Sequence, residues 1–399
     1  MSRSSLALAN LRGVVILIVL LFHSVLAYLN FTPRTAAPFT SPPYSWRSFP
    51  ILDGNRFFGF DLFCAWQDVY LMSLMFFLSG LFVWSSLTRK REWGFLRDRA
   101  LRLGLPYLFG IVVLMPIAFY PAYSATAVSP SVADYWHDWL ALPFWPNGQL
   151  WFLWQLLVLN VVVALVYRLA PGALKSLAGW SATAGAQPSF YFVALVAASA
   201  CVYVPMAVAF TPWAWSDAGI FAVQWCRPLH YAVYFFAGVG VGAAGIERGL
   251  VAADGPLAAR WAFWLTAALV ALIAWMGLTA LTLAGDASIA LRAAAAFSYV
   301  VACASGCFFL TAVTLRFAAR PSPALDGLSV NAYGLYLMHY NFVVWLQYAL
   351  LGAALFAVVK AAIVFGGTLL LSYVTTLAFA RVPFGARLIG VEPHAAAVS

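Results

Sequence analysis

The chain has 399 residues, of which 64% are apolar and only 9% charged, whereas a soluble domain carries about 25% charged residues. That surplus of apolar surface must face lipid, which excludes a water-soluble globular protein. No polar stretch is long enough to bury a core of its own, so a single integral-membrane domain is expected over residues 1–399. The net charge of +9 sits mostly at the ends of apolar blocks, where membrane topology accounts for it, and no nucleic-acid partner is expected.

The first apolar block, 11–30, is long enough to span a bilayer and is followed by no small-residue cleavage site. It reads as an uncleaved first helix carrying Arg12 and His23. Further blocks follow at 66–86, 102–120, 150–169, 190–210, 230–246, 261–283, 294–316, 330–349 and 355–379. The pattern predicts an all-α integral membrane protein of about ten transmembrane helices, with 380–399 as a tail. With the N-terminus inside, 16 basic residues fall inside and 6 outside, which satisfies the positive-inside rule and makes both termini cytoplasmic.

Two long outer loops, 31–65 and 121–149, carry Tyr44, Trp46, Phe49, Phe57, Phe58, Tyr123, Tyr135, Trp136, Trp139, Phe144 and Trp145. They read either as an interfacial aromatic belt or as a vestibule whose rings stack on sugar faces. The Ala/Gly-rich stretch 170–187 reads as a loop. Five cysteines, Cys64, Cys201, Cys226, Cys303 and Cys307, are odd in number and form no CxxC. They predict neither a disulfide framework nor a zinc site, and no metal is expected.

Ionisable groups inside a membrane are functional hypotheses by default. Arg12 and His23 are eleven residues apart, close to three helical turns, so they share a face and lie about 16 Å apart along the axis. That ruler suits an elongated ligand with an anionic head at the inner surface; the plain alternative is a snorkelling arginine and a packed neutral histidine. Arg99 and Arg102 share a face where the third helix begins, and guanidinium forks match phosphate oxygens. Asp68, at about the depth of His23, is either the carboxylate that orients this imidazole or an interfacial aspartate facing water. His339 is either catalytic or hydrogen-bonded scaffold, and His230 is a weaker candidate. Gly240, Gly242 and Gly245 satisfy GxGxxG, but inside an apolar helix close packing through small residues explains them.

The ordered landmarks Leu11-Arg12-Gly13 with His23, Phe76-Phe77-Leu78-Ser79-Gly80, Arg99-x-x-Arg102, Leu150-Trp151-Phe152-Leu153 and Tyr333-Gly334-Leu335-Tyr336-Leu337-Met338-His339 resemble the acyltransferase-3 family of bacterial inner-membrane O-acyltransferases. The resemblance, closest to the branch that modifies periplasmic glucans, covers residues 11–379. It implies transfer of an acyl group from cytoplasmic acyl-CoA, such as acetyl-CoA or succinyl-CoA, to a hydroxyl of an extracytoplasmic glycan or lipid-linked sugar. No permanently bound cofactor is implied. His23 would be the catalytic histidine, and Arg12, Arg99 and Arg102 would hold the donor; Asp68 stays the candidate orienter of His23 on its depth alone. Ser79, Trp151, Tyr336 and His339 would belong to the acceptor site or to its scaffold. Membrane lipid and a glycan-synthesis protein are the implied partners. Direct transfer and a covalent acyl-histidine relay both fit. The Leu71-Met72-Ser73-Leu74-Met75 stretch departs from the family's usual basic residue and proline, which leaves the acceptor open. A carrier for an anionic metabolite would also line a path with arginines and a histidine, but the inverted repeats common in transporters are not visible; a glycan-export scaffold would make His23 dispensable.

Overall fold

The computed structural model describes residues 2–390, so the last nine residues of the expected tail lie outside the described chain. All ten apolar blocks fold as helices. The labelled elements are α1 (Arg3–Val25), α2 (Phe58–Gly80), α3 (Val83–Ser124), α4 (Val132–Ala141), α5 (Trp151–Leu169), α6 (Pro171–Gly185), α7 (Pro188–Phe210), β1 (Trp215–Ala218), β2 (Phe221–Gln224), α8 (Pro228–Ala244), α9 (Trp261–Leu283), α10 (Ile289–Phe317), α11 (Pro323–Ala349), α12 (Ala357–Ala380) and α13 (Pro383–Leu388). Eight helical stretches are long and apolar enough to cross a membrane, and the chain is a multi-pass membrane protein. The remaining two blocks became α8, which is short at 17 residues, and α11, whose Asp326, Asn331, His339, Asn341 and Gln347 lower its hydropathy. In α11 the polar side chains of His339, Asn341 and Gln347 are buried in protein, which is how a polar helix is tolerated in such a bundle.

Three features depart from the sequence reading. The chain is not purely helical, because β1 and β2 form an antiparallel hairpin. Its two-residue turn is opened by Gly219 at φ 61°, a conformation that hairpin turns of this length require and glycine adopts freely. The expected loop 170–187 is mostly α6, begun by Pro171 in the first turn and carried by alanine and leucine, strong helix formers. The tail opens with α13, in which Ala386 and Leu388 are buried.

The Gly240 region packs as its composition suggests. A Cβ at Gly238 would lie 2.1 Å from the Phe77 carbonyl oxygen, and one at Gly242 would lie 2.0 Å from that of Leu81. α8 and α2 therefore touch backbone to backbone, with Gly80 equally close to the Phe235 carbonyl.

α3 bends at Arg91 (φ 56°) and contains π turns at Ala100–Gly104 and Gly110–Leu114. Three prolines in it, Pro106, Pro116 and Pro121, lack an N–H, so each leaves a carbonyl one turn earlier unpaired. Other elements supply the missing donors. The Tyr333 hydroxyl donates to the Arg102 carbonyl at 2.6 Å, Trp145 Nε1 to Ile111 at 2.8 Å, and Trp345 Nε1 to Ile117 at 2.9 Å. Two of these donors come from α11, which is thereby fastened to α3.

The loop between α1 and α2 is tied down by charge. Arg56 donates to the carbonyls of Asn30, Thr32 and Pro33, and Asp61 accepts from the backbone N–H groups of Asn30 and Phe31. Lys360 of α12 reaches Asp53 at 2.7 Å, with both side chains almost fully buried. Removing one partner strands the other charge. Lys360→Met is expected to destabilise the protein by about 3–5 kcal/mol, read as a fall in the thermal midpoint in detergent. The double variant Asp53→Asn/Lys360→Met should recover most of the loss.

Candidate active site

α1 and α11 run side by side, and Gln347 Nε2 locks them in register by donating to the carbonyls of His23 and Ser24 at 2.9 and 3.2 Å. This brings two of the predicted residues together: His339 Nε2 lies 3.3 Å from His23 Nδ1. The proton positions follow from the other partners. His339 Nδ1 lies 2.8 Å from the Tyr336 carbonyl, which only accepts, so His339 carries its proton on Nδ1 and presents a lone pair at Nε2. His23 Nδ1 lies 2.9 Å from the Val19 carbonyl and is therefore also a donor, shared between that oxygen and His339. Among the described residues Nε2 of His23 has no hydrogen-bond partner, and in the neutral ring, with Nδ1 the donor, it carries the lone pair. His339 is fully buried, whereas His23 is half-buried.

Beside this pair Tyr340 stands perpendicular to the His23 ring at 5.4 Å, and Phe119 packs on Tyr340 at 5.8 Å. Phe119 in turn forms the floor of a cavity of about 400 Å³ lined by Tyr44, Phe49, Trp213, Trp215, Arg47 and Asn147 among others. Gly148 also lines this cavity, in a left-handed conformation at φ 46°, where a Cβ would sit 2.7 Å from Met115 Sδ and 3.3 Å from Tyr340. Any larger residue would crowd the wall between the cavity and Tyr340. The aromatic loop residues thus divide: Tyr44 and Phe49 line the cavity, while Trp46, Tyr123, Tyr135 and Trp139 are buried, with Trp46 and Trp139 packed on Phe119. Trp46 stacks on Phe39 at 4.3 Å and donates to its carbonyl.

Asp68 does not contact His23. Its carboxylate takes the guanidinium fork of Arg227, at the start of α8, with bonds of 3.1 and 2.6 Å. A bidentate charge-assisted pair outcompetes a single imidazole N–H, and the His23 N–H is already taken by Val19 and His339. His339 therefore stands where Asp68 was expected. Arg227 and Gln347, both missed by sequence reasoning, are what place Asp68 and His23.

Arg12 lies three turns before His23, its guanidinium over Phe82 at 5.5 Å, and Arg99 lies over Phe95 at 5.0 Å. None of Arg12, Arg99 and Arg102 has an ion-pair partner among the described residues. Ser79 donates to the Met75 carbonyl at 2.8 Å. Trp151 stacks on Tyr231 at 5.7 Å. The Tyr336 hydroxyl donates to the Gln149 carbonyl, tying the turn after Gly148 to the helix of His339. These three side chains are engaged in packing or backbone bonds. His230 is buried with Ser199 Oγ 2.5 Å from Nδ1 and Cys303 Sγ 3.4 Å from Nε2, a second polar cluster within the bundle.

Residues 6–377 match the acyltransferase domain that defines the acyltransferase-3 family. The chain belongs to this family of membrane acyltransferases. Neither the curated proteins nor the solved structures contain a significant match to it.

The imidazole arrangement is open to a direct chemical check. Diethylpyrocarbonate acylates an accessible neutral ring nitrogen, so peptide mass spectrometry of the treated protein should find His23 and the exposed His137 modified and His230 and His339 protected. His339 reacting as fast as His23 would contradict the pairing.

Proposed function

We propose that the protein moves an acyl group, acetyl or succinyl, from acyl-CoA at the cytoplasmic face to a hydroxyl of an extracytoplasmic glycan or glycolipid in the bacterial inner membrane. The observation that carries this reading is the unpartnered Nε2 of His23, close to a cavity lined with aromatic rings. Nε2 removes the proton of the acceptor hydroxyl as its oxygen attacks the thioester carbonyl. The new O–C bond forms, the S–C bond breaks, and the proton passes from His23 to the departing CoA thiolate. While His23 is an imidazolium, its Nδ1–H is shared by Val19 and His339, which stabilises the charge without a second buried ion. A site closed off from bulk water suppresses hydrolysis of the donor.

Arg12, Arg99 and Arg102 bind the donor's phosphates in this scheme, and the pantetheine arm covers the roughly 16 Å from Arg12 to His23. Tyr44, Phe49, Trp213 and Trp215 offer ring faces and edges to a sugar, with Arg47 and Asn147 among the polar groups at the same wall. We assign the ten helical blocks as ten transmembrane spans with both termini cytoplasmic. Reporter fusions after residues 90 and 399 should then read inside, and one near residue 135 outside.

Turnover of an acyl-CoA by protein in nanodiscs, with glycan acylation scored by mass spectrometry, tests the chemistry. His23→Ala should lower kcat by about 10²–10⁴-fold at normal abundance; full activity would remove His23 from catalysis. Arg12→Ala should weaken binding of a non-hydrolysable donor analogue by about 1.5–3 kcal/mol, with Arg12→Lys a partial rescue because an ammonium lacks the fork. For His339, loss of the acceptor in His339→Leu should reduce kcat about 10- to 100-fold with KM little changed. His339→Gln, which keeps a neutral acceptor, should recover part of it. Equal activity of the two variants would assign His339 to packing alone.

A further inference from the structure

α4 is begun by Ser131, whose hydroxyl accepts from the Asp134 N–H, and it presents three flanks rather than two. Tyr135 and Trp139 form the buried one. The Tyr135 hydroxyl donates to the Pro116 carbonyl of α3 at 2.6 Å, and Trp139 packs on Phe119 at 6.2 Å. At about 100° per residue, Val132, Trp136 and Leu140 fall in a stripe beside this buried flank, and they are 60%, 41% and 67% exposed. The third flank is polar: Asp134 and His137 are exposed and Asp138 is partly so.

A two-sided surface helix packs its apolar side on the protein and turns the other to water. Three flanks, one of them apolar yet uncovered, suit the corner where protein, lipid and water meet. The surroundings place α4 at that corner. α3, a helix long and apolar enough to cross the membrane, exposes Leu108, Val112, Val113 and Ile117 before it ends at Ser124. Trp345, itself 40% exposed, donates to the Ile117 carbonyl. From there a run of rings, Trp345, Tyr120, Tyr135 and Trp136, with centroids 6.0, 5.1 and 6.0 Å apart, leads to the uncovered stripe. The stripe thus continues the lipid-facing surface near the end of a span, where tyrosine and tryptophan concentrate. Three side chains expose far less than the roughly 800 Å² per partner that a stable protein interface buries, which disfavours a second copy or another protein as the cover.

We propose that α4 is an interfacial helix, seated at the membrane surface with Val132, Trp136 and Leu140 among lipid and Asp134, His137 and Asp138 in water. The indole of Trp136, an apolar body with one N–H, suits the level of the lipid headgroups. A consequence, resting on the function proposed above, concerns the acceptor. Phe119, the floor of the aromatic cavity, packs on Trp139 and on Tyr340 beside His23. A helix fixed to the membrane surface would hold that floor at headgroup height, where a lipid-linked sugar presents its hydroxyls. The seating of α4 itself does not depend on that function.

The test places nitroxide labels at Val132→Cys, Leu140→Cys and His137→Cys in the full chain, held in phosphatidylcholine nanodiscs. The exposed Cys201 is replaced by alanine in each; the other native cysteines are buried. The readout is the ratio of relaxation enhancement by dissolved oxygen, which concentrates in lipid, to that by a neutral nickel chelate, which stays in water. This ratio should be several-fold higher at positions 132 and 140 than at 137, with thermal midpoints unchanged because all three positions are exposed. The readout needs no turnover, and His23→Ala should leave all three ratios as they are, so failure of the catalytic reading and failure of this one are separable. Equal, water-like ratios at the three positions would overturn the seating. Labels at 132 and 140 shielded from both reagents would mean that protein covers the stripe, which would overturn its assignment to lipid. A label at 137 as oxygen-rich as the other two would place α4 inside the membrane rather than at its surface.

Discussion

Every backbone N–H and C=O in a bilayer must find a partner within the protein, because lipid offers none. In this chain that requirement is most demanding at α3, where Pro106, Pro116 and Pro121 interrupt the helical ladder. The carbonyls released are taken by Tyr333, Trp145 and Trp345. Since Tyr333 and Trp345 lie on α11, the helix that carries His339 is held along α3 at two points twelve residues apart in sequence. Gln347 of the same helix takes the carbonyls at the end of α1. The 3.3 Å approach of the two imidazoles is thus a product of three backbone demands met by one polar helix.

The choice of a second histidine over a carboxylate beside His23 has an energetic rationale. A carboxylate buried without a full partner carries a desolvation penalty of several kcal/mol, and an ion pair at His23 would occupy the base with a permanent charge. A neutral imidazole accepts the His23 proton on one nitrogen while its other nitrogen is anchored to the Tyr336 carbonyl. Two carboxylates that the bundle holds are matched by cations: Asp53 by Lys360 and Asp68 by Arg227. Both pairs join a loop or loop edge to a helix, and neither carboxylate is paired with the imidazoles.

Much of this arrangement is legible in the amino-acid sequence. Block length and hydropathy locate the eight long apolar helices because lipid selects for both, and the eleven-residue interval places Arg12 and His23 on one helix. His339 stands out as a costly residue in an apolar block. Its partner is not legible, because pairing between α1 and α11 depends on helix register, which Gln347 and Gly13 against α11 set through contacts far apart in the chain. The reading of Asp68 fails for the same reason: depth alone does not distinguish His23 from Arg227. The hairpin is hidden because its strands are only four residues each, and α6 because a stretch rich in alanine and glycine resembles a loop by composition.

The hairpin also obeys the rule that governs α3. A two-stranded ribbon satisfies only its inner row of backbone groups, and its turn leaves carbonyls exposed. Here the Gly219 carbonyl accepts the Trp145 N–H at 3.1 Å, and the Ile220 carbonyl accepts from the Tyr107 hydroxyl and from Asn147 Nδ2. The hairpin's base carries Trp215, preceded by Trp213, and its tip is fixed to α3 through Tyr107, so this wall of the aromatic cavity is held by bonds to carbonyls rather than by apolar contact alone. This gives the unusual aromatic content a physical meaning. Tyrosine and tryptophan are side chains that lipid tolerates and that still bring one hydrogen-bond donor, and a chain with 18 tyrosines and 17 tryptophans can sustain broken helices and a pinned turn where a chain of leucine and valine could not.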